Sequence, residues 1–186
     1  MSLRKEFAES QPLAGARISV SLSITVQTAV LVETLVALGA RVRLASCNIF
    51  SSQDEAAAAL VVGSGTTEAP AGISVFGWKG ESSKEFWWCL DQILDWSNYP
   101  DADGNTHPGP TSIIDDGGDL IYLVHQGIEF EKSGVLHRQN SWIESEHEIV
   151  RELLAASQSK NPTRFATLVS QVIGASEETT TGIQRL

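Results

Sequence analysis

The sequence predicts a three-layer α/β domain built on a mostly parallel sheet. Short apolar runs alternate with amphipathic helical stretches, and clusters of glycine, proline and serine punctuate them. With 186 residues, 42% of them hydrophobic, the chain can bury the sizeable core that such a sheet needs.

The elements follow in order. Ala16 to Leu22 alternates apolar with small or polar residues, as a strand with one well-buried face would. Thr25 or Ser23 can cap the next segment, in which Val26, Ala29, Val30, Leu31, Leu35, Val36 and Leu38 fall mostly on one helical stripe closed by Gly39. A second strand follows at Val42 to Ala45. The unit repeats, with an alanine-rich helix from Ser51 or Ser52 to Val62, a short strand at Ile73 to Phe76, and a helix from Ser82 to Trp96. Ser112 to Ile114 is a brief strand that runs into Asp115-Asp116-Gly117-Gly118-Asp119, with a helix over Leu120 to His125. Helices near Glu144 to Ser157 and Pro162 to Val172 come next, and Gly174-Ala175-Ser176 leads into a last short helix. Gly63 to Gly72 and Ser97 to Thr111 read as surface excursions, and Gln126 to Ser145, with His137, Arg138 and Trp142, as irregular.

Strands alternating with helices imply right-handed crossovers in a Rossmann-like arrangement, where ligands bind beyond the carboxyl ends of strands. That rule selects Ser23 to Gln27, Cys47 to Asp54 and Asp115 to Asp119. Three carboxylates among two glycines suit a site where backbone approaches a ligand and a carboxylate acts as base; the same pattern suits a helix N-terminus where acids complement the dipole. The Thr25 hydroxyl and Gln27 amide can read a heterocycle edge, or serve as a cap and a solvated first turn. Cys47 and Asn48 follow a strand, where a thiol faces a ligand or simply packs. Asp54-Glu55 and Glu177-Glu178 fit either ligand contacts or ordinary acidic first turns.

Other classes are disfavoured. Acidic residues outnumber basic ones, 23 to 13, so the average field repels nucleic acid and anionic lipid. No apolar run reaches the roughly 20 residues that span a bilayer, which predicts a cytoplasmic protein. Two isolated cysteines, Cys47 and Cys89, form no disulfide scaffold or zinc ribbon. His107, His125, His137 and His147 lack metal-site spacing, and no G-x-G-x-x-G follows any strand.

At Pro12-Leu-Ala-Gly-Ala-Arg-Ile, Thr25-Val-Gln-Thr-Ala-Val-Leu-Val-Glu-Thr-Leu and Ser46-Cys-Asn-Ile-Phe-Ser-Ser-Gln-Asp the chain resembles S-adenosylhomocysteine hydrolase. The match continues through Phe76-Gly-Trp-Lys-Gly-Glu, Phe86-Trp-Trp-Cys, Asp115-Asp-Gly-Gly-Asp and Ser176-Glu-Glu-Thr-Thr-Thr-Gly, and the two long loops look similar to those of actinobacterial members. In that family NAD oxidises the ribose 3′-hydroxyl, a base removes the 4′ proton, homocysteine leaves, water adds and the ketone is reduced. The resemblance implies that Thr25 and Gln27 contact adenine, and that Asp116 and Glu178 are catalytic acid-base groups at the ribose. It implies that Ser23, Cys47, Asn48, Gln53 and Asp119 also line the substrate site, and that Thr179, Thr180 and Thr181 meet NAD where a partner supplies it.

The departures shape the expectation. Ser23 stands where the family has a histidine, and the chain reaches Leu186 before the family's lysine-aspartate segment and NAD domain. Residues 1–186 then read as one truncated substrate-binding domain that holds an adenosyl ligand, binds no cofactor alone, and self-associates or meets a second subunit. A split-enzyme subunit, a non-catalytic scaffold or regulator, a piece of a longer enzyme and a role in specialised metabolism are the companion readings.

Overall fold

The structure, a computed structural model, describes residues 2–137, 144–184 and 186; Arg138 and Trp142 lie outside the described residues. Its elements are α1 (Ser2–Phe7), β1 (Arg17–Ser21), α2 (Val26–Ala37), β2 (Arg41–Ala45), α3 (Asp54–Val62), β3 (Ser74–Phe76), α4 (Ser83–Leu94), β4 (Ser112–Asp115), α5 (Asp119–Ser133), α6 (Glu144–Lys160), α7 (Arg164–Val169), β5 (Gly174–Glu177) and α8 (Thr180–Ile183). The strands form one parallel sheet in the order β3-β2-β1-β4-β5. The three-layer Rossmann-like α/β expectation holds.

Helices cover both faces of this sheet. Ile18, Val20, Val42 and Leu44 pack with Ala56 and Leu60 of α3 and Val32 of α2. Ala45 and Ile113 pack with α4, α5, α6 and α7 through Leu90, Ile93, Leu123, Leu154 and Leu168. The register pairs Ser19 with Ile113 and Val20 with Ile114, so alternation along β1 assigns the two clusters to opposite faces.

Four expectations are corrected. All five residues of β1 are buried, so the strand has two buried faces rather than one. Its serines tolerate this because Ser19 Oγ donates to Ile93 O at 2.6 Å and accepts from Trp96 Nε1 at 3.1 Å. On α2 the fully buried side chain is Val32, while Val26, Val30, Leu31 and Val36 stay exposed; the helix is apolar nearly all round, so periodicity did not select its inner face. The segment read as irregular from Gln126 opens as a continuation of α5 to Ser133. Gly127 lies within that helix because a Cβ there would sit 2.3 Å from Phe165 Cγ. Gly174-Ala175-Ser176 belongs to β5, where pairing with β4 outweighs the weak strand propensity of small residues.

Smaller shifts concern boundaries. α1 had no sequence signal strong enough to predict it, and α7 is shorter at both ends than Pro162 to Val172. The long connection after α4 is mostly exposed but pinned at its base. Arg41 Nη2 donates to Tyr99 O and Pro100 O, and Arg17 Nε donates to Gly109 O. These contacts hold it at the amino end of the sheet, opposite the strand termini selected above.

Candidate active site

β1 and β4 are neighbours, but the chain leaves β1 toward β2 and β3 and leaves β4 toward β5. The strand order therefore reverses between them, and in open α/β sheets the carboxyl ends at such a reversal are where ligands bind. Ser23 follows β1, Cys47 and Asn48 follow β2, and Asp116 follows β4.

These residues meet. Cys47 Sγ donates to Asp116 Oδ2 at 3.4 Å and lies 3.4 Å from Ser23 Oγ, and Asn48 Nδ2 donates to Cys47 Sγ at 3.5 Å. Ser51, inside the selected Cys47 to Asp54 run but not singled out there, adds a contact of 3.9 Å to the same sulfur and one of 3.3 Å to Ser46 Oγ. Burial pushes the Cys47 thiol above its ordinary value and the Asp116 charge adds to the rise, against the Ser23 hydrogen bond. The rise favours the protonated thiol, the form that donates to Asp116.

The acidic cluster divides by strand alternation. Asp115 is fully buried, and its Oδ2 accepts from Ile121 N at 2.9 Å. Gly118, the residue before α5, has no side chain to cap the helix, so Asp115 supplies the capping oxygen from the strand end. Burial pushes its carboxyl up to about 6, with the Ile121 amide pulling the other way. Glu177 is paired in register with Asp115, and its Oε1 accepts from Gly117 N at 2.8 Å and from Thr179 N at 2.9 Å. Asp115 and Glu177 thus serve the helix-terminus role that the pattern also allowed. Asp116 and Glu178 come one residue later in each chain segment, and the ladder continues between them through Glu178 N donating to Asp115 O at 2.9 Å. Asp116 is half-buried, with Oδ2 accepting from Cys47, and Glu178 is exposed.

The other predicted residues lie around this centre. Thr25 caps α2 by accepting from Thr28 N at 3.3 Å, and Gln27 is exposed in the first turn. Gln53 precedes α3 with an exposed side chain, and its backbone N donates to Ile24 O at 2.8 Å, joining the β1 and β2 loops. Asp119 opens α5, half-buried. Thr179 caps α8, and Thr180 and Thr181 are exposed. No group of three or more His, Cys, Asp or Glu side chains could hold a metal among the described residues. No helix there is long and apolar enough to cross a membrane.

A groove of about 650 Å³ lies elsewhere, between α4, α6 and α7, lined by Trp88, Asp91, Leu153, Ser157 and Arg164 among others. It contains none of the strand-end residues. Its Arg164 and Asp91 form an ion pair that ties α7 to α4.

Three separate segments, following β1, β2 and β4, thus meet at the Cys47 sulfur. A sequence model described as S-adenosyl-L-homocysteine hydrolase matches residues 1–186. The chain therefore belongs to the S-adenosyl-L-homocysteine hydrolase family.

Proposed function

We propose that the chain binds an adenosyl ligand, S-adenosylhomocysteine, S-adenosylmethionine or a related nucleoside, beyond the carboxyl ends of β1 and β4, and does not run the family's hydrolysis alone. The carrying observation is the meeting of Ser23, Asn48 and Asp116 at the Cys47 sulfur, which donates to the Asp116 carboxylate. In this reading Asp116 accepts hydrogen bonds from sugar hydroxyls and serves as base where a proton moves, with Glu178 beside it. Thr25 and Gln27 offer a hydroxyl and an amide to the adenine edge, while Gln53 and Asp119 complete the rim.

Two features support separating this site from autonomous hydrolysis. Ser23 replaces the family's histidine, and a hydroxyl does not exchange protons near neutral pH as an imidazole does. The chain's residues also do not fit a dinucleotide cradle. No strand-to-helix turn carries the glycine fingerprint, and the Thr179 hydroxyl already donates to Glu177 and accepts from Gly182 N. In this reading NAD is held outside residues 1–186, with Thr180 and Thr181 as contacts offered to it. The chain works in the cytoplasm, where Cys47 and Cys89 stay reduced. An alternative, a split-enzyme subunit or a non-catalytic scaffold, draws on the apolar side chains left exposed after the strands, Val26, Phe50 and Ile183, which suit a second copy or a second subunit.

Calorimetry tests the proposal. Wild type should bind adenosyl thioethers or sulfoniums better than guanosine analogues. Gln27→Ala should weaken binding about ten- to a hundredfold, the equivalent of a lost hydrogen bond of roughly 1–3 kcal/mol. Asp116→Asn should retain much of the affinity. With NAD added, the purified chain should release no homocysteine above background; multiple turnovers would overturn the separation. Failure of every adenosyl ligand to bind at millimolar concentration would leave the scaffold reading in its place.

A further inference from the structure

We propose that Glu177 is the positioning residue of this site: its carboxylate ties the Asp116-Gly117-Gly118 turn to the start of α8 and so holds the Asp116 side chain against Cys47.

Gly117 and Gly118 follow Asp116 directly, and both have left-handed backbone, with φ of +100° and +81°. A Cβ on Gly117 would meet nothing within 4 Å, whereas one on Gly118 would sit 3.0 Å from Gly182 O, so the turn packs on α8 at Gly118 and is open at Gly117. It is held by hydrogen bonds to two carboxylates. Asp115 takes the Asp116 amide at 3.1 Å and the Ile121 amide at 2.9 Å, both from its own side of the turn. Glu177 supplies the tie across to β5 and α8. Its Oε1 accepts from Gly117 N at 2.8 Å and from both Thr179 N and Thr179 Oγ1 at 2.9 Å. The other oxygen, Oε2, is buried with no hydrogen-bond partner among the described residues, so the anchoring runs through Oε1.

The surrounding sequence is built to this carboxylate. Thr179 Oγ1 passes the contact on by accepting from Gly182 N at 2.9 Å. Gly182 must lack a side chain, because a Cβ there would lie 2.2 Å from Glu177 Oε1. Burial works to raise the Glu177 carboxyl, but the amides of Thr179, Gly117 and Gly118 and the Thr179 hydroxyl outweigh it and hold the group below the usual carboxylate range. Those hydrogen bonds to the charged form favour an ionised Glu177.

The proposal rests on the reading of Asp116 as the ligand-facing carboxylate, but its test needs no ligand. Cys47 is a built-in reporter, since its thiol donates to Asp116. The pH dependence of Cys47 alkylation by iodoacetamide, followed by peptide mass spectrometry, reads that contact, with the deeply buried Cys89 as internal control. Glu177→Gln should move the Cys47 midpoint down toward that of Asp116→Asn. At about pH 8 this should speed alkylation about three- to tenfold, since the thiolate fraction changes tenfold per pH unit. In Glu177→Ala, added formate should slow the reaction back toward wild type. A Glu177→Gln profile that superimposes on wild type, while Asp116→Asn shifts, overturns the proposal. Should Cys89 react in the variants, signalling lost structure, amide exchange on the unmodified chain decides. Gly117 and Thr179 should be protected together and exchange in concert, and independent or unprotected exchange of either amide overturns the proposal.

Discussion

Glu81 ends the motif that begins at Phe76, yet it lies 3% exposed beneath the start of α4. Cys89 Sγ sits 3.8 Å from its Oε2, and its Oε1 has no hydrogen-bond partner among the described residues. Burial pushes this carboxyl from 4.5 up to about 7, against a smaller opposing pull from the Cys89 thiol. Because the folded-state value is raised, the folded chain binds more protons than the unfolded chain between these limits. The stability contributed by the neutral group is complete below pH 4.5, is lost as pH rises through about 7, and changes little above that. At about 1.4 kcal/mol per unit the full shift amounts to about 3 kcal/mol, and water reaching a loop position reduces this to about 1–2 kcal/mol. Glu81→Gln removes the ionisation. Urea unfolding of both proteins at about pH 5 and about pH 8 should show wild type losing about 1–2 kcal/mol relative to the variant across the interval. Parallel pH dependence of the two would refute the assignment of a buried, proton-binding Glu81.

Two further perturbations test the packing around the site. Ser82 and Glu85 form a reciprocal capping box at the start of α4, so Ser82→Ala should cost about 1 kcal/mol in urea unfolding with little change in the slope. Gly127→Ala should cost about 2–3 kcal/mol, because the new methyl meets the Phe165 ring, and Phe165→Leu in the same chain should recover part of the loss.

Much of the fold was legible because local signals agreed with it. The start of α4 at Ser82, the Thr25 cap and the apolar face of α4 all combine composition with position. What periodicity missed depended on tertiary partners. β5 is strand-like only through its pairing with β4, and Gly127 stays helical because the Phe165 ring needs the space. At the site, the strand-end rule found Ser23, Cys47, Asn48 and Asp116. The division of labour among the acids was not legible from composition. Asp115 and Asp116 are chemically identical neighbours, and only the β4 register buries one under the start of α5 while directing the next to Cys47. The same alternation separates Glu177 from Glu178, a signal that strand parity could have supplied had β5 been recognised.

The most direct test of the central claim is amide chemical-shift mapping of the isotope-labelled chain during titration with adenosine. Saturable shifts are expected at the amides of Ser23, Cys47, Asn48, Gly117 and Gly118, which surround the Cys47–Asp116 contact or follow it in the chain, with guanosine leaving them largely unmoved. Shifts confined to the groove of Trp88, Leu153 and Arg164, or none at millimolar adenosine, would contradict an adenosyl site at the reversal between β1 and β4.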